Sequence, residues 1–293
     1  MRAGHRALIV AACATLAACN DVFDLKPTHF KPDDDDGDGA KNGSDNCPDT
    51  PNPTQSDLDG DGYGDACDDC PLVPDAQDAD QDGDGIGDAC DPHPLAAGDC
   101  LLLLDGFSDS STFASGWDVV GAQPAFAPGA VEVQAASSIV VHDPIDASVV
   151  EVSGSVEVNM SSVAATLQEG TPLPYFGCRL TDRDNCNPVV GVIASHEASG
   201  ASLESGCGLL SADHVGDSFL LRLHIAPDFS GTGTQISCRV DYGLAAADRS
   251  TDSGLQVLAA RPGVAVAGAP ATIFAVAAYG APSGTACPPT VVR

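Results

Sequence analysis

Basic residues are scarce in this chain: Lys and Arg number 12 among 293 residues, against 42 Asp and Glu, for a formal net charge of −30. A surface of that sign repels phosphate backbones and anionic headgroups, so no nucleic-acid partner is expected and cations are the natural ligands. Aromatic residues make up 5% of the chain and Trp occurs once, which leaves few platforms for stacking. The candidates are Trp117, Tyr175, Phe176, Tyr242 and Tyr279, with Trp117 expected in the core. Long apolar runs are missing after the N-terminal segment, since Leu101 to Leu104 is too short to span a bilayer and Leu255 to Gly280 is broken by Arg261, Pro262 and Pro270. A convincing helical period is missing too.

Arg2 and Arg6 precede an apolar stretch, Ala7 to Leu16, and Leu16-Ala17-Ala18-Cys19 follows at once, the layout of an export signal. Leu-Ala-Ala-Cys resembles the lipobox of bacterial lipoproteins. That resemblance implies removal of residues 1–18, lipidation of Cys19 and a tether over 19–32; the alternative is a plain signal peptide. The mature chain would be held at a membrane without spanning it, each buried methylene contributing about 0.8 kcal/mol. With Cys13 in the signal and Cys19 lipidated, ten of twelve cysteines remain, an even number that suits five disulfides in an exported chain.

The acid is concentrated: Asp33 to Asp91 holds twenty aspartates and a single lysine, Lys41. Within it an offset of 23 residues aligns three twelve-residue units, DDDGDGAKNGSD from Asp34, DLDGDGYGDACD from Asp57 and DQDGDGIGDACD from Asp80. Carboxylates occupy positions 1, 3, 5 and 12 of each: Asp34, Asp36, Asp38 and Asp45; Asp57, Asp59, Asp61 and Asp68; Asp80, Asp82, Asp84 and Asp91. Position 9 is Asn42, Asp65 or Asp88, position 6 is always Gly, and position 7 of the second and third units, Tyr63 and Ile86, would offer its carbonyl. This is the ligand spacing of a calcium loop, with alternate residues turning oxygens inward and glycine allowing the sharp turn. An all-oxygen donor set favours Ca²⁺ over Mg²⁺, which demands a stricter octahedron, and over zinc, which wants imidazole or thiolate.

The helices of an EF-hand are not expected, because Cys47-Pro48 and Cys70-Pro71 follow the loops closely. DLDGDGYGDACD and DNCPDTPNPTQSD resemble thrombospondin type 3 repeats over residues 33–91. The resemblance implies a chain wrapped around calcium ions with little regular structure and disulfides as staples. Cys47 with Cys67 and Cys70 with Cys90 would each close a loop of about twenty residues, worth roughly 3 kcal/mol. A redox role for Cys67-Asp68-Asp69-Cys70 is disfavoured, since flanking aspartates suppress the thiolate. Apolar residues in this segment are few, so bound metal rather than a core would offset the entropy of ordering it.

After a linker over 92–98 the composition shifts to Val, Ala, Ser and Gly. Alternating apolar positions recur over residues 99–293, as in Val150, Val152, Val156 and Val158, and in Phe219, Leu221, Leu223 and Ile225. About a dozen such strands predict an all-β sandwich of jelly-roll type. Asp105, Phe107 and Trp117 near its start, and Gly263, Phe274, Val276 and Tyr279 near its end, resemble the terminal phrases of concanavalin-A-like and laminin-G-like domains. In such a fold the first and last strands lie side by side, which favours a Cys100–Cys287 disulfide; the pairing of Cys178, Cys186, Cys207 and Cys238 stays open.

No catalytic group stands out. Glycoside hydrolysis needs two carboxylates about 5 to 9 Å apart, and the nearest approach along one strand is Glu151 with Glu157, six residues apart. His142, His196, His214 and His224 show no metal or triad spacing. The expectation is therefore a non-enzymatic, calcium-binding lipoprotein of the outer membrane, facing outward. A calcium-stiffened spacer would present a head for adhesion or for recognition of a glycan or surface protein. A purely structural envelope protein and a polysaccharide hydrolase are the alternatives.

Overall fold

The computed structural model describes residues 33–75, 79–156, 161–168, 175–181, 191–198, 201–204, 208–209, 218–227, 234–242, 245–253, 261–281, 287–288 and 290–292. The expected signal, Cys19 and the tether lie outside the described residues, as do Cys186 and Cys207. Two compact units divide the chain, Met1–Gln55 and Ser56–Arg293.

In the first unit, residues 33–55 carry no helix or strand. Side-chain amides knit it together. Gln55 Nε2 donates to Asp45 Oδ1 at 2.9 Å and to Asn52 Oδ1 at 2.8 Å, while Asn52 Nδ2 donates to Asn46 Oδ1 at 2.7 Å. Such hydrogen bonds stand in for an apolar core that the acidic sequence cannot supply.

The second unit opens with two further irregular loops and continues into a sandwich. Its strands are β1 (Cys100–Asp105), β2 (Trp117–Val120), β3 (Ala125–Ala127), β4 (Ala130–Val133), β5 (Ser137–Val141), β6 (Val149–Val156), β7 (Ser161–Gln168), β8 (Tyr175–Thr181) and β9 (Gly191–Ala198). They are followed by β10 (Ala201–Glu204), β11 (Gly208–Leu209), β12 (Ser218–Pro227), β13 (Thr234–Tyr242), β14 (Ala245–Ser253), β15 (Arg261–Gly268), β16 (Ala271–Gly280) and β17 (Val291–Val292). One sheet runs β14-β13-β12-β6-β16-β1-β17, with β4 paired to β16 and β3 to β4; the other runs β10-β9-β8-β7-β15-β5-β2, with β11 paired to β9. The one helix among the described residues, α1 (Ser110–Gly116), is capped by Asp109, whose side chain accepts from Ser111 N.

Period-2 alternation explains the core between the sheets. Val150 and Val152, Leu221 and Leu223, and Ile236 and Val240 project from the first sheet; Ile139, Val163, Leu167 and Val264 project from the second, and all are in one cluster. Trp117 belongs to this core, 4% exposed, with Nε1 donating to Asp105 Oδ2 at 2.7 Å. Its ring stacks on Phe113 at 6.0 Å and tilts against Phe107 at 5.7 Å. The Asp-x-Phe and Trp of the sequence are thus one buried knot. Cys100 is bonded to Cys287, beside the β1–β17 pairing.

The outer face of the first sheet is covered as well. Leu72 and Ile86, from the loops before β1, bury with Cys70 and Cys90 against Leu104, Val149, Ala275, Ala277 and Tyr279, and Leu58 and Val73 pack on the margin. Full burial of a Leu or Ile contributes about 1.5–3 kcal/mol, so this second layer has an apolar footing of its own. Leu58, Leu72, Val73 and Ile86 are therefore seated on the sheet. None of the described helices is long and apolar enough to cross a membrane.

Candidate calcium centres

The three acidic units adopt the same loop. Position 1 accepts two backbone N–H groups: Asp34 from Gly37 at 2.7 Å and Gly39 at 3.2 Å, Asp57 from Gly60 at 2.7 Å and Gly62 at 3.2 Å, Asp80 from Gly83 at 2.7 Å and Gly85 at 2.9 Å. The glycines at position 6 have φ of 103°, 104° and 91°, a region that a side chain would make costly. The turn gathers positions 1, 3 and 5. Oxygens of Asp34, Asp36 and Asp38, of Asp57, Asp59 and Asp61, and of Asp80, Asp82 and Asp84 each lie within 4.8 Å of one another.

Position 9 does different work in the structure. Asn42 Oδ1 accepts from Asp35 N at 2.8 Å, Asp65 Oδ1 from Leu58 N at 2.8 Å and Asp88 Oδ1 from Gln81 N at 2.9 Å, so these side chains tie position 9 to position 2. At position 12, Asp45, Asp68 and Asp91 accept from the backbone two residues on, at 2.9, 2.7 and 2.6 Å. Tyr63 and Ile86 at position 7 donate their backbone N–H to Asp61 and Asp84 at 2.9 and 3.0 Å.

A second acidic cluster is formed by Asp84, Asp91 and Asp99, again within 4.8 Å. Asp99, absent from the sequence reading, is 1% exposed, and its backbone N–H donates to Asp84 Oδ2 at 2.8 Å. Asn52 N reaches Asp38 Oδ2 at 2.9 Å and Asp75 N reaches Asp61 Oδ2 at 2.9 Å in the same way. The counterpart of Asn52 and Asp75 at the same fourteen-residue interval is Gly98, whose N–H also donates to Asp84 Oδ2 at 2.8 Å, and Asp99 follows it directly.

Several of these oxygens are buried without any hydrogen-bond partner: Asp36 Oδ2, Asp59 Oδ2, both oxygens of Asp82, Asp91 Oδ2 and Asp99 Oδ1. An unpaired buried carboxylate is costly, and a coordinated cation removes that cost. Burial, reinforced by neighbouring carboxylates, pushes Asp59 and Asp91 up to about 6 and raises Asp36 and Asp82. Asp80 moves the other way, lowered by the Gly85 and Gly83 N–H groups. The donor set is oxygen throughout, which fits Ca²⁺.

The third loop is also held from the sheet. Arg222 of β12 donates from Nη1 to Ala89 O at 2.8 Å and from Nε to Glu151 Oε1 at 2.6 Å, and Tyr279 Oη donates to Glu151 Oε2 at 3.2 Å. Glu151 is 0% exposed and ion-paired with Arg222, and Glu157 lies outside the described residues. Tyr279 is fully buried and is no surface platform; the side chains of Tyr175, Phe176 and Tyr242 are outside the described ones. Cys70 is bonded to Cys90, and Cys47, Cys67 and Cys238 are also disulfide-bonded.

Of the histidines, His142 Nδ1 is 2.9 Å from Asp118 Oδ1, and His224 is largely buried, its pKa lowered by that burial. His196 and His214 offer no described side chain.

The thrombospondin type 3 repeat family model matches residues 32–55. This is the first loop, and the other two repeat its hydrogen bonds. No curated protein matches the sequence. Among solved structures, the chain is similar to the CBM2 module of the evolved Dit of Lactobacillus casei BL23 phage J-1, at 9% identity and TM-score 0.45, covering 62% of this chain and 95% of that one. It is also similar to a prokaryotic β-1,3-1,4-glucanase (lichenase) from a mouse hindgut metagenome, at 12% identity and TM-score 0.44, with coverage of 60% and 97%. A third is the Bacillus licheniformis β-glucanase, at 10% identity and TM-score 0.41, with coverage of 60% and 96%. These similarities correct the expectation of a non-enzymatic chain: solved structures similar to this chain include glucanases.

Proposed function

We propose that the protein is a calcium-binding, lipid-anchored protein of the outer membrane, held through Cys19, whose three acidic loops are ordered by Ca²⁺ and whose sandwich recognises a glycan or surface protein. The observation that carries the calcium reading is the set of buried, unpartnered carboxylate oxygens at position 3 of all three loops, Asp36, Asp59 and Asp82. Asp34, Asp38 and Asp45, with their equivalents in the other loops, would complete the shells, and Asp84, Asp91 and Asp99 would hold a further ion. Bound calcium supplies the positive charge that lets these carboxylates stay ionised and close together.

The second and third loops, seated on the sheet, would act as a calcium-dependent outer layer of the head. The spacer role then falls to the segment before Ser56. Modules of this ligand type in extracellular settings bind at about 10⁻⁴ to 10⁻³ M.

Calorimetric titration of the full chain from residue 20 with CaCl₂ tests the reading. Saturable binding of at least three ions, weakened in Asp36→Asn, Asp59→Asn and Asp82→Asn, supports it. Heats no larger than dilution at millimolar calcium would remove it.

A further inference from the structure

The repeat ends differently from the way it begins. The offset of 23 residues that aligns the acidic units also aligns Cys47, Cys70 and His93, and it aligns Pro53, Ala76 and Asp99. Cys47 and Cys70 are disulfide-bonded, Cys70 to Cys90. In the third unit an imidazole stands where the first two carry a staple, and a carboxylate stands where they carry no side-chain oxygen. The two departures meet, because His93 Nδ1 lies 2.8 Å from Asp99 Oδ2.

The backbone around this pair keeps to the repeat. The N–H of Cys47, Cys70 and His93 donates to the position-12 carboxylate two residues earlier, and the N–H of Asn52, Asp75 and Gly98 donates to the position-5 carboxylate. His93 therefore engages two members of the cluster Asp84, Asp91 and Asp99: Asp91 through its backbone N–H at 2.6 Å and Asp99 through its ring. Asp84, the third member, is held by the N–H groups of Gly98 and Asp99, both at 2.8 Å.

The oxygens that these bonds leave over point to a ligand. An ionised carboxylate only accepts, so the ring donates from Nδ1 to Asp99 Oδ2. The Asp99 side chain is 1% exposed and that of His93 50%. With Oδ2 taken by the ring, Asp99 Oδ1 is buried without a hydrogen-bond partner, and so is Asp91 Oδ2. Oxygens of Asp84, Asp91 and Asp99 lie within 4.8 Å of one another. A clasp that merely replaced the missing disulfide would leave no reason to bury a second, unsatisfied oxygen. A hydrogen bond to the far oxygen of a ligating carboxylate fixes its rotamer, the way outer partners orient metal ligands.

We propose that His93 is the positioning residue of the additional cation site formed by Asp84, Asp91 and Asp99: its ring holds Asp99 Oδ2 so that Oδ1 binds Ca²⁺, and its backbone N–H holds Asp91 for the same ion. The proposal rests on the reading of the acidic loops as calcium centres and names the residue that completes the last of them. His93 does not touch the ion. Asp99 directly precedes Cys100, the first residue of β1 and one end of the bond to Cys287, so the ion would sit where the acidic loops give way to the sandwich.

The test is calorimetric titration with CaCl₂ of the full chain from residue 20, comparing wild type with Asp99→Ala, His93→Ala and His93→Asn. Asp99→Ala identifies the ion in question by its loss. His93→Ala should weaken that ion by about tenfold or more and leave the others as they are. His93→Asn, whose side-chain N–H stands at the same δ position as that of the ring, should recover most of the affinity, and it keeps the proposal falsifiable if the alanine variant disturbs folding as read by circular dichroism. Affinity for this ion within about twofold of wild type in His93→Ala would overturn the assignment and leave the calcium reading standing. Equal weakening of every ion, or no recovery in His93→Asn, would overturn it too, by showing a general loss of structure rather than the loss of one hydrogen bond. A wild-type chain that binds no calcium would overturn the calcium reading and this site with it.

Discussion

Arg222 and Glu151 stand directly opposite each other on β12 and β6, and the guanidinium that neutralises this buried carboxylate also holds the carbonyl of Ala89 in the third acidic loop. One side chain thus joins the sheet to a residue lying between positions 9 and 12 of the loop. A loop shaped by calcium would present that carbonyl at a fixed height. A loop without calcium would leave Arg222 with fewer partners.

Removing the arginine alone should be worse than removing the pair. Arg222→Met leaves Glu151 buried without its countercharge and should cost about 3–5 kcal/mol, whereas Arg222→Met with Glu151→Gln should recover a large part of that. Urea melts in saturating calcium measure both. Equal stability of the single and double variants would show that the ion pair contributes nothing at this place.

Chelation should uncover the outer face of the first sheet. With EDTA, Leu72 and Ile86 lose the ordered loops that seat them, and Leu104, Ala277 and Tyr279 become accessible. A rise in dye fluorescence and new protease cuts between Ser56 and Asp91, both reversed by calcium, are expected. Identical digestion patterns with and without EDTA would mean that the apolar footing holds the layer by itself.

Acid should weaken calcium binding. Asp59 and Asp91 have pKa values raised to about 6, so below that pH the folded loops take up protons that calcium must displace. In the metal-free protein the sign is opposite. These raised values stabilise the fold below the unfolded carboxylate range, and that contribution is lost as pH rises through about 6. Calcium titrations at pH 5 and pH 7.5 should show the weaker affinity at pH 5, while the melting temperature in EDTA should fall between the same two values.

Asp99 should account for one ion. Asp99→Ala removes a buried oxygen from the cluster with Asp84 and Asp91, and the calorimetric stoichiometry should drop by about one while the Asp57 and Asp34 loops keep theirs. An unchanged ion count would assign Asp99 to its contact with His93 Nδ1, 2.8 Å away, and nothing more.

Local spacing made the loops and strands legible. Ligands at positions 1, 3 and 5 and glycine at 6 are fixed by neighbours in sequence, and alternation in β6 and β12 is a property of single strands. The layer of loops on the first sheet was not legible because Leu58, Leu72 and Ile86 are isolated in an acidic run, and their partners lie on distant strands. A signal did exist in ATIFAVAAYG. β16 is apolar at both parities and buried along nearly its whole length, which is how a strand covered on both faces reads. Glu151 illustrates the limit from the other side: along its own strand it could be read only against Glu157, and the register with Arg222 reveals its ion pair.

The bond between Cys100 and Cys287 sets how the sandwich would respond to mechanical load. Cys100 begins β1, which is hydrogen-bonded to β16 on one side and β17 on the other. A pull arriving from the N-terminal side meets this residue before any rung of the ladder. The force then passes through sulfur into the C-terminal segment, and β1 is shielded from being peeled away one hydrogen bond at a time. A head fixed at its N-terminal end and dragged by flow would keep its shape under tension for as long as that one covalent bond survives.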